Sequence, residues 1–145
     1  MKRLSAGVIG AGAFATYHAR QYAQLGRVDL AGVWDPNAAA AQMLADELGI
    51  RAFESFDDLL AAVDMVTIAS PAIYHAEGAM AVVAAGKHVY VEKPLAIDPK
   101  TNADSTSACS GTSAARITSA RPAVFRIRPV SSGRTGHSGS AWWNT

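Results

Sequence analysis

The sequence predicts an α/β fold, a doubly wound parallel sheet of about five strands confined to the first hundred of 145 residues. Three observations lead there. Short apolar runs alternate with segments of helical period at the spacing of βαβ units. Those runs are near-continuously apolar, as strands covered by helices on both faces require, and Met65-Val66-Thr67-Ile68-Ala69 is the clearest. Composition then changes at Lys100. Residues 1–100 carry 8 basic and 11 acidic side chains, a net of −3, whereas residues 101–145 carry 5 arginines and one acid, Asp104, a net of +4. The last 45 residues lack Leu, Lys and Glu but hold 9 Ser and 6 Thr, so they have little apolar surface to offset the entropy of ordering. Residues 1–100 are therefore expected to form one domain. Residues 101–145 are expected to be a largely unstructured low-complexity tail, disordered or read out of frame, because GC-rich codons in a shifted frame yield such residues.

The elements follow in order. Leu4 to Ile9 is a short apolar run that ends in glycines, which suits a buried strand. From Ala13 to Leu25, Phe14, Tyr17, His18, Gln21, Tyr22 and Leu25 recur at helical spacing, and Gly26 marks the stop. Val28 to Trp34 is a second strand, closed by Asp35-Pro36. Asn37 is a good N-cap for an alanine-rich helix through Leu48, with Gly49 just past its end. Ala52-Phe53 is a candidate third strand, and Ser55 or Asp57 starts a helix through Ala62. Met65 to Ala69 is the fourth strand. A helix from about His75 to Ala85 stops at Gly86, and His88 to Val91 is the fifth strand.

Chemistry enters at the first strand–helix turn. Gly10-Ala11-Gly12-Ala13-Phe14-Ala15 reads G-x-G-x-x-A between strand and helix, the context that makes it a dinucleotide fingerprint. Gly10 permits the tight turn, Gly12 lets a pyrophosphate approach the backbone, and Ala15 lets the helix pack closely on the strand. The helix N-terminus at Ala13 and Phe14 offers unpaired N–H groups and a partial positive charge. Asp35 lies twenty positions after Ala15, at the end of the second strand. A carboxylate there accepts hydrogen bonds from ribose hydroxyls and repels a 2′-phosphate, and no Arg or Lys lies between Arg27 and Arg51, so NAD is favoured over NADP. Asp35-Pro36-Asn37 also serves as a turn and helix cap, and both roles are compatible.

A third constellation joins Ser70-Pro71-Ala72-Ile73-Tyr74-His75 to Gly86-Lys87-His88-Val89-Tyr90-Val91-Glu92-Lys93-Pro94. Here the sequence resembles the N-terminal Rossmann domain of the Gfo/Idh/MocA oxidoreductases, the glucose-fructose oxidoreductase and inositol dehydrogenase family. The resemblance runs from about Leu4 to Asp98, with Ala72 standing where the family often has Asn. It implies that the Ser-Pro turn lies beside the nicotinamide half of NAD, and that the lysine of Glu-Lys-Pro reaches the nicotinamide ribose and the substrate pocket. By correspondence the cofactor-binding positions are Ser70, Pro71, His75, Glu92 and Lys93, and Lys93 is the catalytic candidate. Independently of the resemblance, a lysine at the carboxyl end of a central parallel strand projects into the crevice where such sheets bind ligands. There it orients a substrate hydroxyl or assists proton transfer.

The implied function is hydride transfer between the nicotinamide and a sugar, polyol or related small molecule. The alternative is a nucleotide-binding fragment without turnover, because the family's C-terminal substrate domain is not recognisable after Lys100. Family members often associate through that domain, so no oligomeric state follows. Near-neutral net charge gives no case for nucleic acid or an anionic membrane. No apolar run approaches the roughly 18 residues of a membrane span. The single cysteine, Cys109, excludes an internal disulfide framework and a cysteine-based zinc site. His18 is assigned to a helix face, His88 to a strand and His137 to the tail, none with metal-ligand spacing. Together these features point to a cytoplasmic enzyme lineage.

Overall fold

The computed structural model describes residues 3–95 and Ile97. The expected tail at 101–145 lies outside the described residues. Five strands, β1 (Leu4–Ile9), β2 (Val28–Trp34), β3 (Arg51–Ala52), β4 (Met65–Ile68) and β5 (His88–Val91), form one sheet in the order β3-β2-β1-β4-β5. Every neighbouring pair is parallel. Four α-helices connect the strands: α1 (Ala13–Gln24), α2 (Ala38–Leu48), α3 (Phe56–Ala62) and α4 (His75–Ala84). A single 3₁₀ turn, Ala72–Tyr74, leads into α4. The chain winds from β1 through β2 to β3, then α3 carries it back across β1 to β4. The winding direction therefore reverses between β1 and β4, where sheets of this kind open a crevice at their carboxyl ends.

Local chemistry sets the helix ends. The Asn37 side chain accepts from Ala40 N–H at 3.2 Å, and Gly49 closes α2 in the left-handed region at φ 65°. Ser55 resolves the two candidate starts of α3, because its Oγ accepts from Asp58 N–H at 3.1 Å. Asp57 and Asp58 then sit in the first turn, where the helix dipole favours acids. Two boundaries differ from expectation. Helix α1 ends at Gln24 with Leu25 as its extended C-cap, ahead of Gly26. Strand β3 is Arg51–Ala52, one residue early, because Phe53 is drawn into the core under the Arg51 guanidinium, 4.6 Å from the ring centroid.

Two apolar layers sandwich the sheet. Val8 and Val33 face α1 and α2, packing with Ala15, Ala19, Ala41, Leu44 and Ala45. Their chain neighbours Ile9 and Trp34 point the other way, into a larger layer with Phe56, Leu59, Val66, Ile68, Val82 and Val89 from α3, α4 and the other strands. Trp34 and Phe56 meet edge-on at 5.7 Å. Thr67 is the polar exception on β4. Fully buried beneath α1, it is satisfied by the Tyr22 hydroxyl at 2.5 Å.

Candidate cofactor site

The carboxyl ends of β1, β2, β4 and β5 meet around the β1–β4 switch point. Gly10 leaves β1 at φ +106°, a conformation that L side chains rarely adopt. A Cβ there would also stand 2.8 Å from the Ala69 carbonyl oxygen and 3.1 Å from Ser70 N, so the fingerprint turn and the turn after β4 touch backbone to backbone. Gly12 differs. Its φ of −78° is ordinary, and a Cβ would have nothing within 4 Å. The space over Gly12 faces the open N-terminus of α1, which has no side-chain cap and no acid in its first turn. Ala13 and Phe14 begin that turn exposed, while Ala15 is fully buried against the sheet. A helix start left uncapped over a glycine with free space fits a phosphate group.

Asp35 holds this turn from the side. One carboxylate oxygen accepts from Ala11 N–H at 2.8 Å, the other from Asn37 N–H at 2.7 Å. Each oxygen keeps a further lone pair for an incoming hydroxyl. Across the crevice, Ser70 Oγ is buried without a hydrogen-bond partner among the described residues. An orphaned hydroxyl beside Gly10 is a polar group awaiting a ligand, so the residues present fit a dinucleotide. Pro71 is exposed next to it.

On the far side, Glu92 and Lys93 follow β5. Glu92 Oε1 is 2.5 Å from His18 Nε2 of α1 and accepts from the Tyr90 hydroxyl at 3.2 Å. Burial pushes the Glu92 carboxyl up, but the hydrogen bond and charge of His18, the Tyr90 hydroxyl and the Lys93 backbone N–H outweigh it and hold the group below its ordinary 4.5. Burial first, then the Glu92 charge and hydrogen bond, with a smaller contribution from Tyr22, raises the Tyr90 phenol above 10.0. Lys93 is exposed, and its peptide to Pro94 is cis. His75, at the start of α4, is only 2% exposed, with Nδ1 2.8 Å from the Pro94 carbonyl oxygen and Nε2 2.6 Å from that of Ser70.

Residues 4–115 match the Gfo/Idh/MocA model, described as an oxidoreductase family with an NAD-binding Rossmann fold. The chain belongs to this family. The matched span extends past Asp98, the last residue of the resemblance given above. Among curated Gfo/Idh/MocA relatives, UDP-N-acetylglucosamine 3-dehydrogenase of Acidithiobacillus ferrooxidans is 44% identical over 98 residues, which are 68% of this chain and 31% of that protein. Solved family structures with bound cofactor are among the matches. GenD2 from gentamicin A biosynthesis, in complex with NAD, superposes with a TM-score of 0.71 at 34% identity, covering 77% of this chain and 32% of that one. Scyllo-inositol dehydrogenase of Lactobacillus casei, with NAD(H) and scyllo-inositol, superposes with a TM-score of 0.70 at 29% identity, covering 76% and 34%. The chain thus spans about a third of the length of its relatives.

Set against the sequence-derived candidates, the structure brings Gly10, Gly12, Ala13, Phe14, Ala15, Asp35, Ser70, Pro71, Glu92 and Lys93 to the carboxyl ends of four strands around one crevice. His75 lies behind them. Sequence reading missed the His18–Glu92–Tyr90 cluster, with His18 and Tyr90 rings 5.2 Å apart. Its only sequence signal is that His18 and Tyr22 fall one helical turn apart, as do the positions that α1 presents to the sheet. Among the described residues, no helix is long and apolar enough to cross a membrane, and no group of three or more His, Cys, Asp or Glu could hold a metal.

Proposed function

We propose that this chain binds NAD in preference to NADP and that it is the cofactor half of a dehydrogenase acting on a hydroxyl carbon of a sugar, polyol or nucleotide sugar. The open cradle at Gly12, closed on one side by Asp35 and on the other by the orphaned Ser70 hydroxyl, carries this reading. The first turn of α1 holds the pyrophosphate. Asp35 accepts from the adenosine ribose and repels a 2′-phosphate, and the nearest downstream cation, Arg51, is engaged over Phe53. Bound NAD supplies the hydride acceptor. Lys93 orients the substrate hydroxyl by donating a hydrogen bond, and Glu92, tied to His18, holds the root of that loop. The substrate class is taken from relatives whose names specify UDP-N-acetylglucosamine and scyllo-inositol.

Titration of the chain with NADH and NADPH tests the reading. NADH binds more tightly by about tenfold or more, and Asp35→Ser narrows the gap. Equal affinity in the unsubstituted chain overturns the preference. Binding and turnover are separate readings for a chain of this span, and the notion of a nucleotide-binding fragment stands or falls on the second. Incubation with NAD and a panel of polyols and sugars reads turnover through the appearance of reduced nicotinamide. Any turnover refutes the fragment reading.

A further inference from the structure

His75 was expected among the cofactor contacts, yet its ring is enclosed and both nitrogens are committed to backbone oxygens. Carbonyl oxygens only accept, so any hydrogen bond to them must be donated by the ring. One ring proton satisfies one carbonyl, and two satisfy both. The two carbonyls belong to the turns that frame the nicotinamide side of the crevice. Ser70 follows β4 and abuts Gly10, and Pro94 is joined directly to Lys93. Ring stiffness fixes the separation of these turns, and α4, whose first residue is His75, anchors the ring to the core. Lys93 itself is exposed, and no other described hydrogen bond of a side chain reaches Pro94.

We propose that His75 is a positioning residue. It does not touch the cofactor but ties the Lys93–Pro94 turn to the head of α4, beside the Ser70–Pro71 turn, and so sets where the Lys93 ammonium enters the crevice. The Pro94 link is the one that governs Lys93. This rests on the NAD reading above insofar as Lys93 serves the nicotinamide half.

The test uses the full chain and three variants. An Asn amide nitrogen takes the place of Nδ1 and keeps the Pro94 link, whereas a Gln amide nitrogen takes the place of Nε2 and keeps only the Ser70 link. Affinity for NADH is compared with affinity for ADP, which lacks the nicotinamide half. His75→Ala weakens NADH by roughly tenfold while ADP stays within about twofold, His75→Asn recovers most of the loss, and His75→Gln does not. If NADH affinity is unchanged in His75→Ala, or if NADH and ADP weaken equally, the positioning role is wrong. Should His75→Ala not fold, the Asn-against-Gln contrast carries the same decision. The NMR signal of ¹³C-methylated Lys93 in the nucleotide-free chain supplies a readout independent of NAD. It moves in His75→Gln and stays at the wild-type position in His75→Asn, and an unmoved signal in both overturns the clamp. Wild-type protein that binds no NADH defeats the NAD reading, while this signal still decides the clamp.

Discussion

Gly10 and Gly12 stand two residues apart in one turn and answer to different constraints. Gly10 is held by the protein itself, through its φ of +106° and the Ala69 carbonyl 2.8 Å from any Cβ. Gly10→Ala therefore destabilises the fold by about 1–3 kcal/mol or more, read as a lower urea midpoint. Gly12 is held open for something else. Gly12→Ala changes stability by no more than about 1 kcal/mol, yet a methyl group in the phosphate space weakens NADH by about tenfold or more. A Gly12→Ala chain that binds NADH as well as wild type would show that the space is not the phosphate site. The positions of these two glycines, Asp35 and Lys93 just past strand ends were legible in the sequence because each sits at a fixed offset from an apolar run. Their spacing encodes where the backbone turns. His75 was legible as a motif residue only, since nothing in the local sequence says which way a ring at the head of a helix will face.

At the scale of elements, the seat of α1 combines small apolar residues with a polar row. Ala15 and Ala19 pack on β1, while His18 reaches Glu92 just past the end of β5 and Tyr22 reaches Thr67 on β4. Glu92 has a folded-state pKa below its ordinary 4.5, so its contacts contribute stability that is present above that value and lost as pH falls below it. The urea midpoint of the wild type should fall more steeply below about pH 4.5 than that of Glu92→Gln. Parallel slopes would show that the His18–Glu92 pair does not stabilise the folded state. Tyr90 works in the opposite sense. Its folded pKa is raised above 10.0, so the folded chain resists ionisation that the unfolded chain undergoes, and stability declines as pH rises past 10.0. Tyr90→Phe removes that component, and absorbance titration of the wild type shows a tyrosine ionisation above pH 10.0 that Tyr90→Phe lacks.

At the scale of the whole molecule, the described residues place their core on both faces of a single sheet, and the site on the edge those faces share. Leu59 lies fully buried in the larger layer. Leu59→Ala should cost about 2–5 kcal/mol, a large part of the roughly 5–15 kcal/mol that holds a domain folded. Ligand works the other way: NADH at a hundredfold excess over its Kd adds about 2.7 kcal/mol. Calorimetry should therefore show NADH raising Tm, and raising it in Leu59→Ala too, because the core and the crevice are separate. No shift in either protein would count against the cofactor reading. The order of strands and helices, the cap at Asn37, and the fingerprint turn were determined by the sequence alone, because each is set by residues within a few positions of one another, whereas the choice of Ser55 over Asp57 as the start of α3 came from the structure. The strand order, with its reversal between β1 and β4, was decided only by tertiary structure, as were the pairing of His18 with a glutamate 74 residues away and the burial of His75 between two turns. Those features depend on which side of the sheet each crossover takes and on the register at which strands meet, and no local pattern of side chains carries that information.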